Sequence, residues 1–272
     1  MEFRTRIDIK KADFEIGPCE ELLFVGSCFA QGIGQRFRDE GFPVTLNPYG
    51  TMYNPASILH TIERCEAVPK TAFLTLGTNH VYRLKETGEI VDNCEKRPAA
   101  LFQEETLTID ECADYLRRAV HVLQQRNAAV RVMLTVSPIR YRKYGYHESQ
   151  LSKATLLLAA DKVVGEAQAA GQQGTVSYFP AYEIVMDELR DYRFYASDML
   201  HPSDQAVEYI WERLVDTCFS AEAKQYLAEW QPLKQALAHK PFNPEGAEYR
   251  AFMDKTMLKI AELRKKYTTF AL

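Results

Sequence analysis

Two short stretches of this sequence carry side chains suited to acyl transfer. The first is Phe24-Val25-Gly26-Ser27-Cys28-Phe29, where an apolar run ends in Gly-Ser and a helical pattern begins at once. A serine at a strand-to-helix junction stands at the carboxyl edge of a sheet, where ligands bind in open α/β folds. The helix that follows directs N–H groups and a positive dipole end toward it, and such amides stabilise an oxyanion. The plain alternative is that Ser27 only caps the helix, a frequent role for serine. Cys28 is a rival nucleophile, but a side chain one residue into the helix points away from the direction Ser27 takes.

The second stretch is Ser197-Asp198-Met199-Leu200-His201-Pro202-Ser203, just before the last helix of the alternating region. Asp and His three residues apart in a loop set a carboxylate against imidazole Nδ1 and leave Nε2 free to face the sheet edge. A serine hydroxyl needs such a pair, because without an adjacent base it is inert at neutral pH. Taken alone, Asp-x-x-His is short and common, and a surface Asp beside a helix-capping His reads equally well.

The elements that must bring these stretches together are legible in the hydrophobic pattern. Short β-prone runs at 21–25, 43–46, 72–76, 131–136 and 175–179 alternate with helical patterns at 28–39, 55–66, 109–126, 148–170, 181–190 and 204–217. That alternation predicts βαβ units around a mostly parallel sheet. Thr108 and Glu111 form a capping-box pattern at the third helix. Residues 80–93 alternate apolar and polar around Glu-Thr-Gly, which predicts an inserted β-hairpin. After Ser220 the β signal vanishes and two helical stretches, 220–238 and 245–266, follow. We therefore expect an α/β domain over 1–219 and a helical extension over 220–272, packed on that domain or on a second copy of the chain. Ser27 follows the first strand and the Asp-His pair follows the last, so a doubly wound sheet puts both at one edge.

Beyond these short patterns the sequence resembles a known family. Gly26-Ser27-Cys28-Phe29-Ala30 spells the signature of the GSCFA family, and residues 47–55 (NPYGTMYNP) and 178–195 (YFPAYEIVMDELRDYRFY) are similar to it as well. That family is itself similar to the SGNH, or GDSL-like, hydrolases. The resemblance covers most of residues 20–220 and implies a flavodoxin-like three-layer α/β/α fold with Ser27 as nucleophile, Asp198 as orienting acid and His201 as base. It also implies a glycine and an asparagine that complete an oxyanion hole with the Ser27 amide. Gly50 is the best match to the glycine. Asn79, in Leu76-Gly77-Thr78-Asn79, and Asn54, in Tyr-Asn-Pro, both fit the asparagine, block order favouring Asn79. The usual Asp before the serine is replaced here by Gly26. Ser137 and Arg140 end the strongest strand at the same edge, where Ser137 could bond substrate and Arg140 could meet an anionic group; a Pro-terminated strand with a solvated Arg is the alternative.

The implied activity is hydrolysis of a short acyl ester, such as acetyl on a carbohydrate, with an O-acyltransferase or a non-catalytic carbohydrate-binding or small-molecule-binding module as the other readings of the scaffold. No metal or organic cofactor is expected: the six cysteines are scattered, with no Cys-x-x-Cys pair and no His at ligand spacing. A net charge of −4 with intermixed signs gives no basic stripe for nucleic acid. No apolar run approaches the roughly 18 residues that span a bilayer, and no leader pattern stands at the N-terminus. A cytoplasmic protein with free thiols is the expectation.

Overall fold

The computed structural model describes residues 4–92, 94, 97–172 and 174–271. Five strands, β1 (Leu22–Gly26), β2 (Val44–Leu46), β3 (Thr71–Leu76), β7 (Arg131–Val136) and β8 (Val176–Tyr178), form one all-parallel sheet in the order β2-β1-β3-β7-β8. This is the doubly wound order of flavodoxin-like folds. Its three inner strands are mostly apolar and almost wholly buried because both faces are covered.

Side-chain alternation assigns the layers. Leu22, Phe24, Phe73 and Met133 point into one hydrophobic cluster, and Leu23, Val25, Leu74 and Leu134 into the other. The first cluster is closed by α1 (Cys28–Asp39), whose Phe29, Ile33 and Phe37 recur at helical spacing, and by α6 (Asp204–Cys218). The second is closed by α2 (Pro55–Arg64), α3 (Ile109–Arg126) and α4 (Tyr146–Ala169). The capping box at Thr108 and Glu111 forms with both of its reciprocal bonds. Phe24 stacks on Phe73 at 4.4 Å, and Phe37 meets Trp211 edge-on at 4.8 Å, so the first cluster has a largely aromatic centre.

The inserted element is larger than the hairpin expected over 80–93. Strands β4 (His80–Leu84) and β5 (Ile90–Val91) pair as anticipated, but β6 (Phe102–Thr106) joins β4 on its other side and makes a three-stranded antiparallel sheet. Asn93 lies outside the described residues. The sequence of β6, Phe-Gln-Glu-Glu-Thr, is mostly exposed, so it carries little apolar alternation. The helix expected over 181–190 is one α-turn, α5 (Ala181–Glu183), running into a π-helix, Ile184–Leu189, that ends at Arg190.

The two C-terminal helices, α7 (Ala221–Ala238) and α8 (Ala247–Lys266), form as anticipated. Tyr226, Trp230, Ile260, Leu263 and Phe270 enter the same cluster as Phe24 and Phe37, so the extension closes the domain's own core. The Tyr226 hydroxyl donates to the Glu40 carbonyl, and Ala271 N–H to Gly41 O at 2.9 Å. Among the described residues no helix is long and apolar enough to cross a membrane. The six cysteines are free.

Candidate active site

Strand order defines where a ligand can enter. The chain leaves β1 toward β2 on one side and returns to β3 on the other, which opens a crevice at the carboxyl end of β1. Ser27 is the first residue past that end. Gly26 before it has φ 147°, and a Cβ there would lie 2.2 Å from the Thr75 carbonyl oxygen, so no other residue fits without moving β3. The Gly26 amide donates to Asn47 Oδ1 at 2.9 Å and its carbonyl accepts from Met52 N–H at 2.9 Å. Ser27 itself is 1% exposed. Its Oγ accepts from Phe29 N–H at 3.3 Å, the N-cap bond, and its own amide donates to Thr75 O at 3.2 Å. Cys28 turns aside, with Sγ 3.6 Å from the Tyr53 hydroxyl.

The Asp198–His201 loop is built around one carboxylate. Asp198 Oδ1 accepts from the amides of Leu200 (2.8 Å) and His201 (3.0 Å), and Oδ2 meets His201 Nδ1 at 2.6 Å. The His201 and Leu200 amides, followed by the imidazole, hold the Asp198 carboxyl down at about 2. The acid is thus ionised at any ordinary pH and fixes Nδ1 as its donor, leaving Nε2 free. Among the described residues Nε2 has no hydrogen bond, to Ser27 or to any other group.

Arg140 ties this loop to the sheet. It follows the carboxyl end of β7, its amide donates to Leu200 O at 3.0 Å, and its guanidinium to Met199 O at 3.1 Å. Met199 takes a left-handed φ of 59°, a conformation a non-glycine residue keeps only where its surroundings enforce it. Because the sheet is parallel, the ends of β1 and β7 lie at the same edge. Ser27 and the Asp-His pair are therefore anchored to one rim of the molecule.

The other predicted residues divide sharply. Gly50 (φ 91°) is exposed, and its amide donates to Asn47 O at 2.9 Å, closing a turn, so neither the Ser27 nor the Gly50 amide is free for an oxyanion. Asn79 is spent on structure as well: Nδ2 donates to Leu107 O at 2.7 Å and its amide to Ser152 Oγ at 2.9 Å, which fastens the entry to β4. Asn54 differs. Its Oδ1 caps α2 through Ser57 N–H at 2.9 Å, while Nδ2 donates to nothing among the described residues. It follows Met52 and Tyr53, whose backbones bond Gly26, Gly77 and Thr78 across the ends of β1 and β3. Ser137 is wholly buried, its Oγ accepting from Ile139 N–H at 3.3 Å, which keeps it from a ligand.

Residues 21–72 and 66–214 match the GSCFA family, and residues 230–272 match the C-terminal domain of GSCFA domain proteins. The chain belongs to the GSCFA family. No curated protein matches it. Among solved structures it is similar to a GDSL-like lipase from Bacteroides thetaiotaomicron, at 15% identity over 77% of this chain and 88% of that one, with TM-score 0.46. It is also similar to a variant of an acetyl-xylooligosaccharide esterase from Geobacillus Stearmophilus, at 15% identity over 76% and 98%, with TM-score 0.45.

One group in the GSCFA domain escaped sequence reasoning. Lys153 of α4 is 2% exposed, and its Nζ donates to the carbonyls of Gly77 (2.7 Å) and Ser137 (2.8 Å), lashing together the ends of β3 and β7. Burial without a carboxylate partner pulls the ammonium down to about 7. A neutral amine has two N–H donors, matching the two carbonyls. The available signal was its place on the buried stripe Ser149, Ser152, Leu156, Ala160, Val163.

Proposed function

We propose that this chain is a serine ester hydrolase of the SGNH type that removes a short acyl group, such as acetyl, from an oxygen ester, with a carbohydrate as the preferred carrier. The observation that carries it is the Asp198–His201 pair, with Nδ1 fixed at 2.6 Å and Nε2 unengaged, on a loop tied to the same sheet edge that presents Ser27. Nε2 takes the Ser27 proton as Oγ attacks the acyl carbonyl. The tetrahedral oxyanion is received by Asn54 Nδ2 and the first-turn amide of α1 at Cys28, which has no intrahelical acceptor. His201 returns the proton to the departing alkoxide, leaving acyl-Ser27. It then deprotonates a water that attacks the ester, and the carboxylic acid leaves as Ser27 regains its proton.

Ser27 is closely covered; its Oγ accepts the cap bond from Phe29 N–H and keeps its own O–H as the donor to His201 Nε2, a bond that tightens on substrate binding as enzymes without ligand commonly require. Hydrolysis of p-nitrophenyl acetate by wild type, Ser27→Ala and His201→Ala tests the reading. Turnover lost in both variants, with folding intact, supports it. Turnover retained in Ser27→Ala, or none in wild type with any acyl ester, counts against it and favours a binding module.

A further inference from the structure

The segment 178–195 is similar to the family over its whole length, yet the triad chemistry uses none of it. Its backbone is unusual. Ile184–Leu189 is a six-residue π-helix, and Arg190, which closes it through a bond from its amide to Val185 O at 3.1 Å, has a left-handed φ of 43°. π-helical turns and left-handed non-glycine residues are both disfavoured and concentrate at functional sites. Their joint effect here is to turn the chain so that Arg190 lines a cavity of about 240 Å³ beside the Asp198–His201 loop, shared with Arg140, Gln150, Tyr192 and Tyr195.

The charge of this cavity is unbalanced. Among the described residues neither Arg140 nor Arg190 has a carboxylate within ion-pair distance. Arg140 is surrounded instead by the rings of Tyr146 (4.4 Å), Tyr195 (5.4 Å) and Tyr192 (5.7 Å), with one guanidinium nitrogen on Met199 O and its remaining donors unused. The one acid on the cavity wall, Asp191, is already engaged: Oδ1 accepts from Arg193 N–H at 2.9 Å and Oδ2 pairs with the Arg193 guanidinium at 3.0 Å. Two forks of N–H donors and aromatic walls, with the cavity's one carboxylate committed to Arg193, are the chemistry of a bidentate oxyanion site.

We propose that this cavity is a subsite for an oxyanion on the substrate, a carboxylate or a phosphate, held by Arg190 and by the free edge of Arg140 and placed there by the strained π-helix. The subsite deepens the hydrolase reading by making the substrate an acyl ester of an acidic sugar or sugar phosphate, while the anion site itself is independent of catalysis. Arg140 touches both the subsite and the His201 loop, so the anion is bound where it orients the ester toward the base.

Calorimetric titration of the full chain with inorganic phosphate, with glucuronate and with glucose reads the subsite directly. Binding of at least one anion with Kd on the order of 1 mM, no binding of glucose, and a loss of about tenfold in Arg190→Asn are expected; Asn tolerates the left-handed backbone. Phosphate alone points to a phosphorylated substrate and glucuronate alone to a carboxylated one. Should Arg190→Asn fail to fold by circular dichroism, Arg190→Lys keeps the charge without the fork and is expected to bind more weakly than wild type. A wild type that binds neither anion, or variants that bind as wild type does, would overturn the proposal. Turnover of O-acetyl glucuronate against O-acetyl glucose then separates the two claims. A preference for the acidic ester that shrinks in Arg190→Asn supports both. Anion binding without turnover of any ester retains the subsite and removes the hydrolase.

Discussion

The two halves of the candidate site are made in opposite ways. Ser27 is 1% exposed and is located by main-chain necessity: a buried strand, a glycine that no other residue can replace, and a helix start. The side chains of His201 and Asp198 are 45% and 44% exposed, on a loop whose shape comes from side-chain bonds to a few amides and carbonyls. The contrast teaches that the nucleophile's position is part of folding stability, whereas the base's position is adjustable and cheap to disturb. Damage to the backbone that locates Ser27 should appear as unfolding, and damage to the Asp198–His201 loop as lost activity in a folded protein.

The largest effect is expected at the loop. Asp198→Asn is predicted to lower kcat/KM about 10³- to 10⁴-fold by favouring the wrong imidazole tautomer, with a melting temperature close to wild type because the carboxylate is a surface group. Next comes Gly26→Ala, predicted to cost about 3 kcal/mol or more in urea unfolding, since its Cβ overlaps the Thr75 carbonyl at an unfavourable φ. A Gly26→Ala protein as stable as wild type would erase the contrast. Arg140→Gln should leave the fold intact and reduce kcat/KM roughly 10- to 100-fold through misplacement of His201. A pH dependence is expected at Lys153. The folded chain releases its proton near 7, whereas the unfolded lysine holds it to about 10.5. Between those values the unfolded state binds more protons, so wild-type stability rises with pH, and below 7 this group contributes no slope. In Lys153→Met that part of the slope should vanish, as measured by denaturant midpoints from pH 6.5 to 9.5.

The same contrast sets what was legible in the sequence. Gly26-Ser27 and the strands around it could be read because parallel strands and their helices announce themselves by apolar runs and caps, and those are what locate Ser27. Asp198 and His201 could be read because their bond is local. The oxyanion donors could not: Gly50, Asn79 and Asn54 have suitable side chains or amides, and only the folded structure shows that the first two are occupied by Asn47 and Leu107 carbonyls. Strand β6 was missed because an exposed strand lacks alternation. The π-helix was missed because a helical pattern over 181–190 does not report a change of pitch.

Mapping the adduct of a fluorophosphonate probe by mass spectrometry tests the central claim most directly, since it asks which atom is activated. A single adduct on the peptide containing Ser27 in wild type, lost in both Ser27→Ala and His201→Ala, is the predicted result. An adduct on Cys28, or no adduct on any residue of a folded wild-type chain, would contradict it.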